Sequence, residues 1–532
     1  MTKNPIFSLR NFRSFGENGA NFELAPITVL TGCNSAGKST LVKALMLLSE
    51  ENPSDLKLSS RNLCLGGYKT VANKNGEIVF SYRIWSSDLQ EDLVVTRCFR
   101  LKQKDVLNEG TLYSLIVKKI DGTVVFEEKE GFSEYKTDSI KNNFYRFYNV
   151  CCAIDLLKDK LPLIKKWERE KTHESFIKKT DNVSIQNLVN DRLSSVGITM
   201  SEAVILWNEF NKKLFLAVIN SKYNHFLNPT EIISFADVAY DPEENEEWEE
   251  MMKKYLDGIV NDVCSPFFIK KSMYVNSSSA IISRLYFTED ENKISKALRD
   301  FNKRTIEYNN EYIHVPYSYK PGSFMNKWIN MFGIGDRIQV KGTDETHGLM
   351  IYLYKGTTKR LLADEGYGIT QLISLLLQID TNISICPQYN HKANINKDEN
   401  EVYFSDDIKP VMYLPQTICV EEPEIHLHPK YQSLLAEMFV EAYQKYNIHF
   451  IIETHSEYLI RKLQVMVADK QSSLLPQDVS LNYVEKDDNG VSTNRKIEIL
   501  EDGRLSEPFG PGFYDQATGL SMSLLKMKMD TK

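Results

Sequence analysis

Two stretches of this sequence hold residues of the right type and spacing to handle phosphate and water. Gly32-Cys33-Asn34-Ser35-Ala36-Gly37-Lys38-Ser39 satisfies G-x-x-x-x-G-K-[ST]. The two glycines let the backbone wrap tightly enough to aim the N–H groups of Asn34, Ser35, Ala36 and the residues through Thr40 at phosphate oxygens. Lys38 is expected to reach the outer phosphates of a nucleotide, and Ser39 to ligate Mg²⁺. The second stretch, Thr417-Ile418-Cys419-Val420-Glu421-Glu422-Pro423-Glu424, delivers carboxylates at the end of an apolar strand. Open α/β sheets bind ligands at that end. Glu421 fits a contact to Mg²⁺ through a coordinated water, and Glu422 fits the base that takes a proton from an attacking water. Taken alone, this stretch also reads as an acidic loop after a strand.

Two further stretches complete the set. Gly366-Tyr367-Gly368-Ile369-Thr370-Gln371 precedes the apolar run Leu372 to Ile379, so Gly366, Gly368 and Thr370 would open a helix whose N-terminus faces a phosphate. A plain helix cap by Thr370 or Asp364 is the competing reading. Two phosphate-facing surfaces on one γ-phosphate imply a second subunit. In Glu453-Thr454-His455-Ser456, His455 follows a strand and could reach the γ-phosphate or the water. His426 and His428 look like a zinc fragment without a third ligand; a dimer-contact turn ending at Pro429 is the preferred reading.

The elements that must hold these residues are legible in part. Ile6 to Phe15 and Ile27 to Leu30 read as strands, and a helix runs from Lys38 through Leu48. Strand patterns recur around 78–85, 93–101, 114–120 and 124–128. From about 139 amphipathic helices take over: Ala153 to Glu170, Met200 to Val218, Trp248 to Val263 and Glu291 to Tyr308. Strands return at Ile338 to Val340, Leu349 to Tyr354, Pro410 to Leu414, Thr417 to Val420 and His449 to Ile452, with a helix over Pro429 to Tyr446. Asn390 to Asn400 reads as an exposed polar loop. Val479 to Glu485 and Arg495 to Leu500 form a hairpin turning at Asn489-Gly490, followed by a Met-rich helix. The resulting division is 1–138 and 335–475 as two halves of one α/β head, 139–334 as a largely helical insertion, and 476–532 as a small extension.

Charged residues make up 26% of the 532, which is ordinary for a globular chain, and the net charge of −8 argues against a surface that coats nucleic acid throughout. No apolar run approaches the ~20 residues of a membrane-spanning helix. Met1 to Pro5 leads straight into a strand without the apolar core of a signal peptide, so the expected location is cytoplasmic and no membrane partner is expected. The eight cysteines include no CxxC pair, and the adjacent Cys151-Cys152 read as reduced thiols of a helix.

In this order the motifs resemble the ABC-type P-loop ATPase head: Gly32 to Ser39 as Walker A, Gly366 to Gln371 as the signature, Glu421-Glu422 as Walker B, and His455 as the switch histidine. Asn11-Phe12-Arg13-Ser14-Phe15, Glu421 to Pro429 and Glu453 to Ser456 are similar to SMC-like and OLD-like bacterial ATPases. Leu65-Gly66-Gly67-Tyr68 and Pro511 to Asp515 look like a subgroup with a small C-terminal domain, whose relatives are ATPase subunits of anti-phage systems such as Septu and the retrons carrying a Septu-like pair. The resemblance implies ATP and Mg²⁺ as cofactors, with Arg13 and Thr40 among the nucleotide contacts. It also implies a homodimer, or a higher oligomer, through the nucleotide sites. The expected function is a sensor or switch that controls a separate effector, a nuclease, in anti-phage defence. The alternative is a DNA-repair or maintenance ATPase gripping duplex DNA, which the lysines between 158 and 179 would support. The glutamine that ABC-type heads carry between Walker A and the helical lobe is not identifiable from spacing.

Overall fold

The structure, a computed structural model, describes residues 4–49, most of 55–135, most of 264–309 and most of 320–510, with isolated positions beyond. The helices expected within 153–263, Cys151-Cys152, the basic stretch 158–179 and most of the Met-rich terminus lie outside the described residues.

A six-stranded sheet carries the chemistry-bearing motifs. In chain order its strands are β1 (Ile27–Gly32), β2 (Ser272–Val275), β3 (Gln416–Glu421), β4 (Ile448–Glu453), β5 (Val479–Lys486) and β6 (Ser492–Ile497). In space they run β2-β3-β4-β1-β5-β6. All neighbours are parallel except β5 and β6, which form an antiparallel hairpin. Strands such as β1 and β3 are buried along their whole length or nearly so, as expected of parallel strands covered on both faces. Alternation divides β1 between two cores: Ile27 and Val29 enter one, Leu30 the other.

On one face lies α1 (Lys38–Leu48), packed under an antiparallel sheet whose strands fall between Ile6 and Tyr135. Leu41, Val42, Leu45 and Leu48 of the helix meet Phe7, Phe12, Phe80 and Phe99 of that sheet. On the other face lie α2 (Lys293–Asn309), α3 (Ser323–Met331), α4 (Tyr367–Asn382), α5 (Pro429–Tyr446) and α6 (Glu457–Ala468). The chain is thus a mixed α/β fold, as the sequence implies. Among the described residues no helix is long and apolar enough to cross a membrane.

β2 pairs with β3 from Ser272↔Thr417 to Val275↔Val420, and Phe324, Met325 and Trp328 of α3 belong to the same core as β1. β5 pairs with β1 from Val479↔Ile27 to Val484↔Gly32. One expectation changes: the stretch read as a polar loop forms a hairpin, Tyr389–Asn396 with Glu401–Ile408. Its asparagines, lysine and aspartates hide the alternation of Ala393 with Ile395 and of Val402 with Phe404.

His449 on β4 shows what burial does to a titrating group. Its Nε2 lies 3.3 Å from Asn447 Oδ1, and desolvation pulls its pKa from 6.5 down to about 4. The folded state therefore binds fewer protons than the unfolded chain below pH 6.5. The stability tied to His449 is present above that pH and lost as pH falls toward 4, by up to about 3 kcal/mol. Denaturant melts from pH 7 to 4 should show His449→Gln losing less stability than wild type; parallel curves would refute the assignment.

Candidate functional site

The loop between β1 and α1 is bent by positive backbone angles at Gly32 (φ 135°), Ser35 (φ 60°) and Gly37 (φ 106°). Glycine is needed at two of these for more than conformation. A Cβ on Gly32 would run into the Val484 carbonyl of β5, and one on Gly37 would lie 2.6 Å from Ser14 Oγ and 2.9 Å from Ser492 Oγ. The hairpin braces the loop directly: Ser492 Oγ donates to Ala36 O at 2.5 Å, and Ser492 N–H donates to Ser14 O at 2.9 Å. Cys33, Asn34 and Ser35 stay exposed at the crest, and Thr40 is buried behind it.

Lys38 is only 4% exposed, and its Nζ donates to Gly32 O (3.2 Å) and Cys33 O (2.9 Å). Burial lowers its pKa, while Glu453, Glu422 and Glu424 oppose that and favour the ammonium. Ser39 Oγ donates to Glu453 Oε1 at 3.1 Å. These residues line a cleft of about 460 Å³ with Arg13, Ser14, Ser35, Gly37, Thr40 and Glu453. Arg13 has a positive φ of 55°, and its N–H donates to Val71 O at 2.6 Å. Leu65, Thr70 and Val71 also line the cleft. Leu65 was legible only as part of a family-like segment, and nothing in its type points to a site.

Parallel pairing brings the carboxylates together. Glu421 ends β3 and Glu453 ends β4, and the two are register partners. Glu421 Oε2 accepts from Tyr274 Oη of β2 at 2.5 Å, and burial with that bond raises the tyrosine pKa. Glu422 follows with φ 45°, its N–H donating to Glu453 O at 2.7 Å, and its carboxylate lies 4.0 Å from His455 Nε2. His455 N–H donates to Glu424 Oε1 at 2.7 Å. Burial, and then Lys38, hold the His455 pKa below its ordinary value, while Glu422 opposes them. Burial raises Glu424, and it pushes Glu453 to about 7, with Glu421 and Glu422 adding to the shift and Ser39 and Lys38 opposing it.

Among the described residues, the buried oxygens Glu421 Oε1, Glu424 Oε2 and Glu453 Oε2 have no hydrogen-bond partner. Each such atom costs about 1–3 kcal/mol, more for a charged group, unless something else takes its lone pairs. A divalent cation fits that donor set. Among the described residues no three His, Cys, Asp or Glu side chains are grouped to hold an ion alone. A cation here would need oxygens from a ligand, as Mg²⁺ takes from phosphates. His428 is exposed, and its Nδ1 caps α5 by accepting from Lys430 N–H at 3.3 Å, with Pro429 in the first turn.

The Gly366-to-Gln371 motif opens α4 with Gly366 as cap and no side chain capping it. Thr370 Oγ1 donates back to Tyr367 O at 2.8 Å, and Asp364 pairs with Arg284, so neither caps the helix. Tyr367 meets the His426 ring edge-on at 4.8 Å, which ties this motif to the turn after Glu424. Gly368 sits so close that a Cβ would lie 2.6 Å from His426 O. Gly368→Ala should therefore destabilise the fold by about 1–3 kcal/mol. A thermal midpoint equal to wild type would show that the two segments are not in fixed contact. Gln371 lines a small cavity with Asn276, Leu372, Val420 and Glu421. Asn276 and Tyr274 escaped sequence reasoning because β2 lies 147 residues from Glu421 and its pairing is not written locally.

Compared with protein-family models, residues 6–460, most of the chain, match the AAA ATPase domain family. A family described as a protein of unknown function, DUF3696, matches residues 474–524. No curated protein matches. Among solved structures the chain is similar to an Smc head bound to the C-terminal winged-helix domain of ScpA, at 12% identity. The match covers 94% of this chain and 98% of that one, with a TM-score of 0.35. It is also similar to the SMC head domain from Thermotoga maritima, at 11% identity, covering 93% and 100%, with a TM-score of 0.33. At that level a likeness carries no argument about function.

Proposed function

The chain belongs to the AAA ATPase domain family, and on that premise we propose that it binds ATP with Mg²⁺ and hydrolyses it to ADP and phosphate. The observation that carries this is the cleft in which Lys38 and Ser39 share a wall with Glu453, whose strand-end neighbours are Glu421 and Glu422. Backbone N–H groups of residues 32–40 bind phosphate oxygens, and Lys38 exchanges its loop carbonyls for the outer phosphates. Arg13 contacts the nucleotide from the same cleft. Ser39, and Glu421 through a coordinated water, would hold Mg²⁺, which would supply neutralisation of charge on the transferred phosphoryl group. Glu422 takes the proton of the attacking water, and His455 orients that water beside it. Gly366, Gly368 and Thr370 present the α4 N-terminus to the nucleotide of a second copy, making a homodimer whose sites lie between subunits.

Beyond hydrolysis, the reading is a cytoplasmic nucleotide-driven switch that controls a separate nuclease in bacterial anti-phage defence. What supports it is the resemblance of Leu65 to Tyr68 and Pro511 to Asp515 to the subgroup whose relatives are ATPase subunits of such systems. The test is a pull-down of tagged Glu422→Gln protein from its host with ATP and Mg²⁺. Recovery of a nuclease encoded beside it supports the switch. Recovery of duplex DNA alone, in a salt-sensitive complex, replaces it with the DNA-maintenance reading.

A further inference from the structure

Among the described residues, Glu453 is the carboxylate that touches the Ser39 hydroxyl of the phosphate loop, and it ends a strand beside Glu421. It is 6% exposed, yet it lines the cleft with Lys38, Ser39 and Arg13. Its Oε1 accepts from Ser39 Oγ, while its Oε2 is buried and without a hydrogen-bond partner. Its register partner Glu421 has one oxygen occupied by Tyr274 and the other likewise unpartnered. Two orphaned carboxylate oxygens on adjacent strand ends repel each other, and a hydroxyl alone does not relieve that repulsion. A shared divalent cation does.

We infer that Glu453 is a further metal-side residue of the nucleotide site: it sets the position of Ser39 through Oε1 and offers Oε2, with Glu421, to the divalent cation that arrives with the nucleotide. This rests on the nucleotide-binding reading and adds a residue that the phosphate-loop and strand-end motifs do not include. Ser39 is fixed at the start of α1 and Glu453 at the end of β4, so both donors are held by rigid elements. Nothing in a surface role explains a carboxylate nine-tenths buried in the wall of a polar cleft.

The test uses the full chain with adenylyl-imidodiphosphate, first without metal and then with Mn²⁺ followed by electron paramagnetic resonance. Glu453→Gln keeps the size of the side chain and removes the charge. Without metal its nucleotide affinity should not fall, since a negative charge beside the phosphates is removed, while its Mn²⁺ affinity in the nucleotide complex falls about 10–100-fold. Glu453→Asp, which keeps the charge on a shorter arm, should recover part of that loss. Unchanged Mn²⁺ affinity and spectrum in Glu453→Gln would overturn the inference while leaving nucleotide binding intact. Failure of the wild-type chain to bind nucleotide at all would instead remove the reading on which it rests. Circular dichroism melts of both variants separate a binding defect from unfolding.

Discussion

Replacing Glu422 with Gln is expected to lower ATP turnover by about 10²–10⁴-fold while nucleotide binding stays within a few-fold of wild type. The residue stands at φ 45°, an angle uncommon for a side chain of its size, and the backbone is held there by its N–H bond to Glu453 O. Its carboxylate is partly exposed and faces His455 across 4.0 Å, leaving room for a bridging water. The amide keeps the shape and loses the basicity, so a substrate-bound state should accumulate. Phosphate release under steady-state conditions measures the first effect and equilibrium titration the second. Turnover within a few-fold of wild type would assign the proton transfer elsewhere, with Glu424 or Glu453 as the remaining carboxylates.

Lys38→Ala should act differently. The ammonium is buried and held by two loop carbonyls, so its removal leaves those carbonyls unpaired and takes away the one cation seated within the loop. Loss of a preorganised charge at the phosphates is expected to reduce kcat by about 10²–10³-fold. Unlike Glu422→Gln, it should also weaken nucleotide binding, because the ammonium serves ground state and transition state alike. A variant that turns over ATP at the wild-type rate would show that Lys38 does not leave its carbonyls for the phosphates.

How much of the molecule was legible in its sequence depends on how local each feature is. Lys38–Leu48 and Pro429–Tyr446 match the expected helices residue for residue, because apolar spacing and a Gly or Pro boundary fix them within a few turns. The phosphate loop was legible for the same reason. Glu453 was visible as a residue of Glu453-Thr454-His455-Ser456, but its chemistry depends on lying beside Glu421, and register between strands 32 residues apart is not a local signal. A strand ending in glutamate next to another strand ending in glutamate was the available clue. Tyr274 left none, since β2 is separated from β3 by a long stretch that includes α2 to α4 and the 389–408 hairpin. The terminal hairpin was seen as a hairpin, yet its docking against β1 comes from pairing Val484 with Gly32.

That docking fixes when the site can exist during synthesis. The phosphate loop leaves the ribosome well before β4 and β5, which flank β1, and Ser492 braces Ala36 from 456 residues away in sequence. At about 5–20 residues per second, roughly 20–90 s separate translation of the loop from that of its brace. Through that interval the nascent chain carries the loop without the strands that shape it. A ribosome that stalls before β5 therefore releases a product lacking the strand and the brace that shape the phosphate loop.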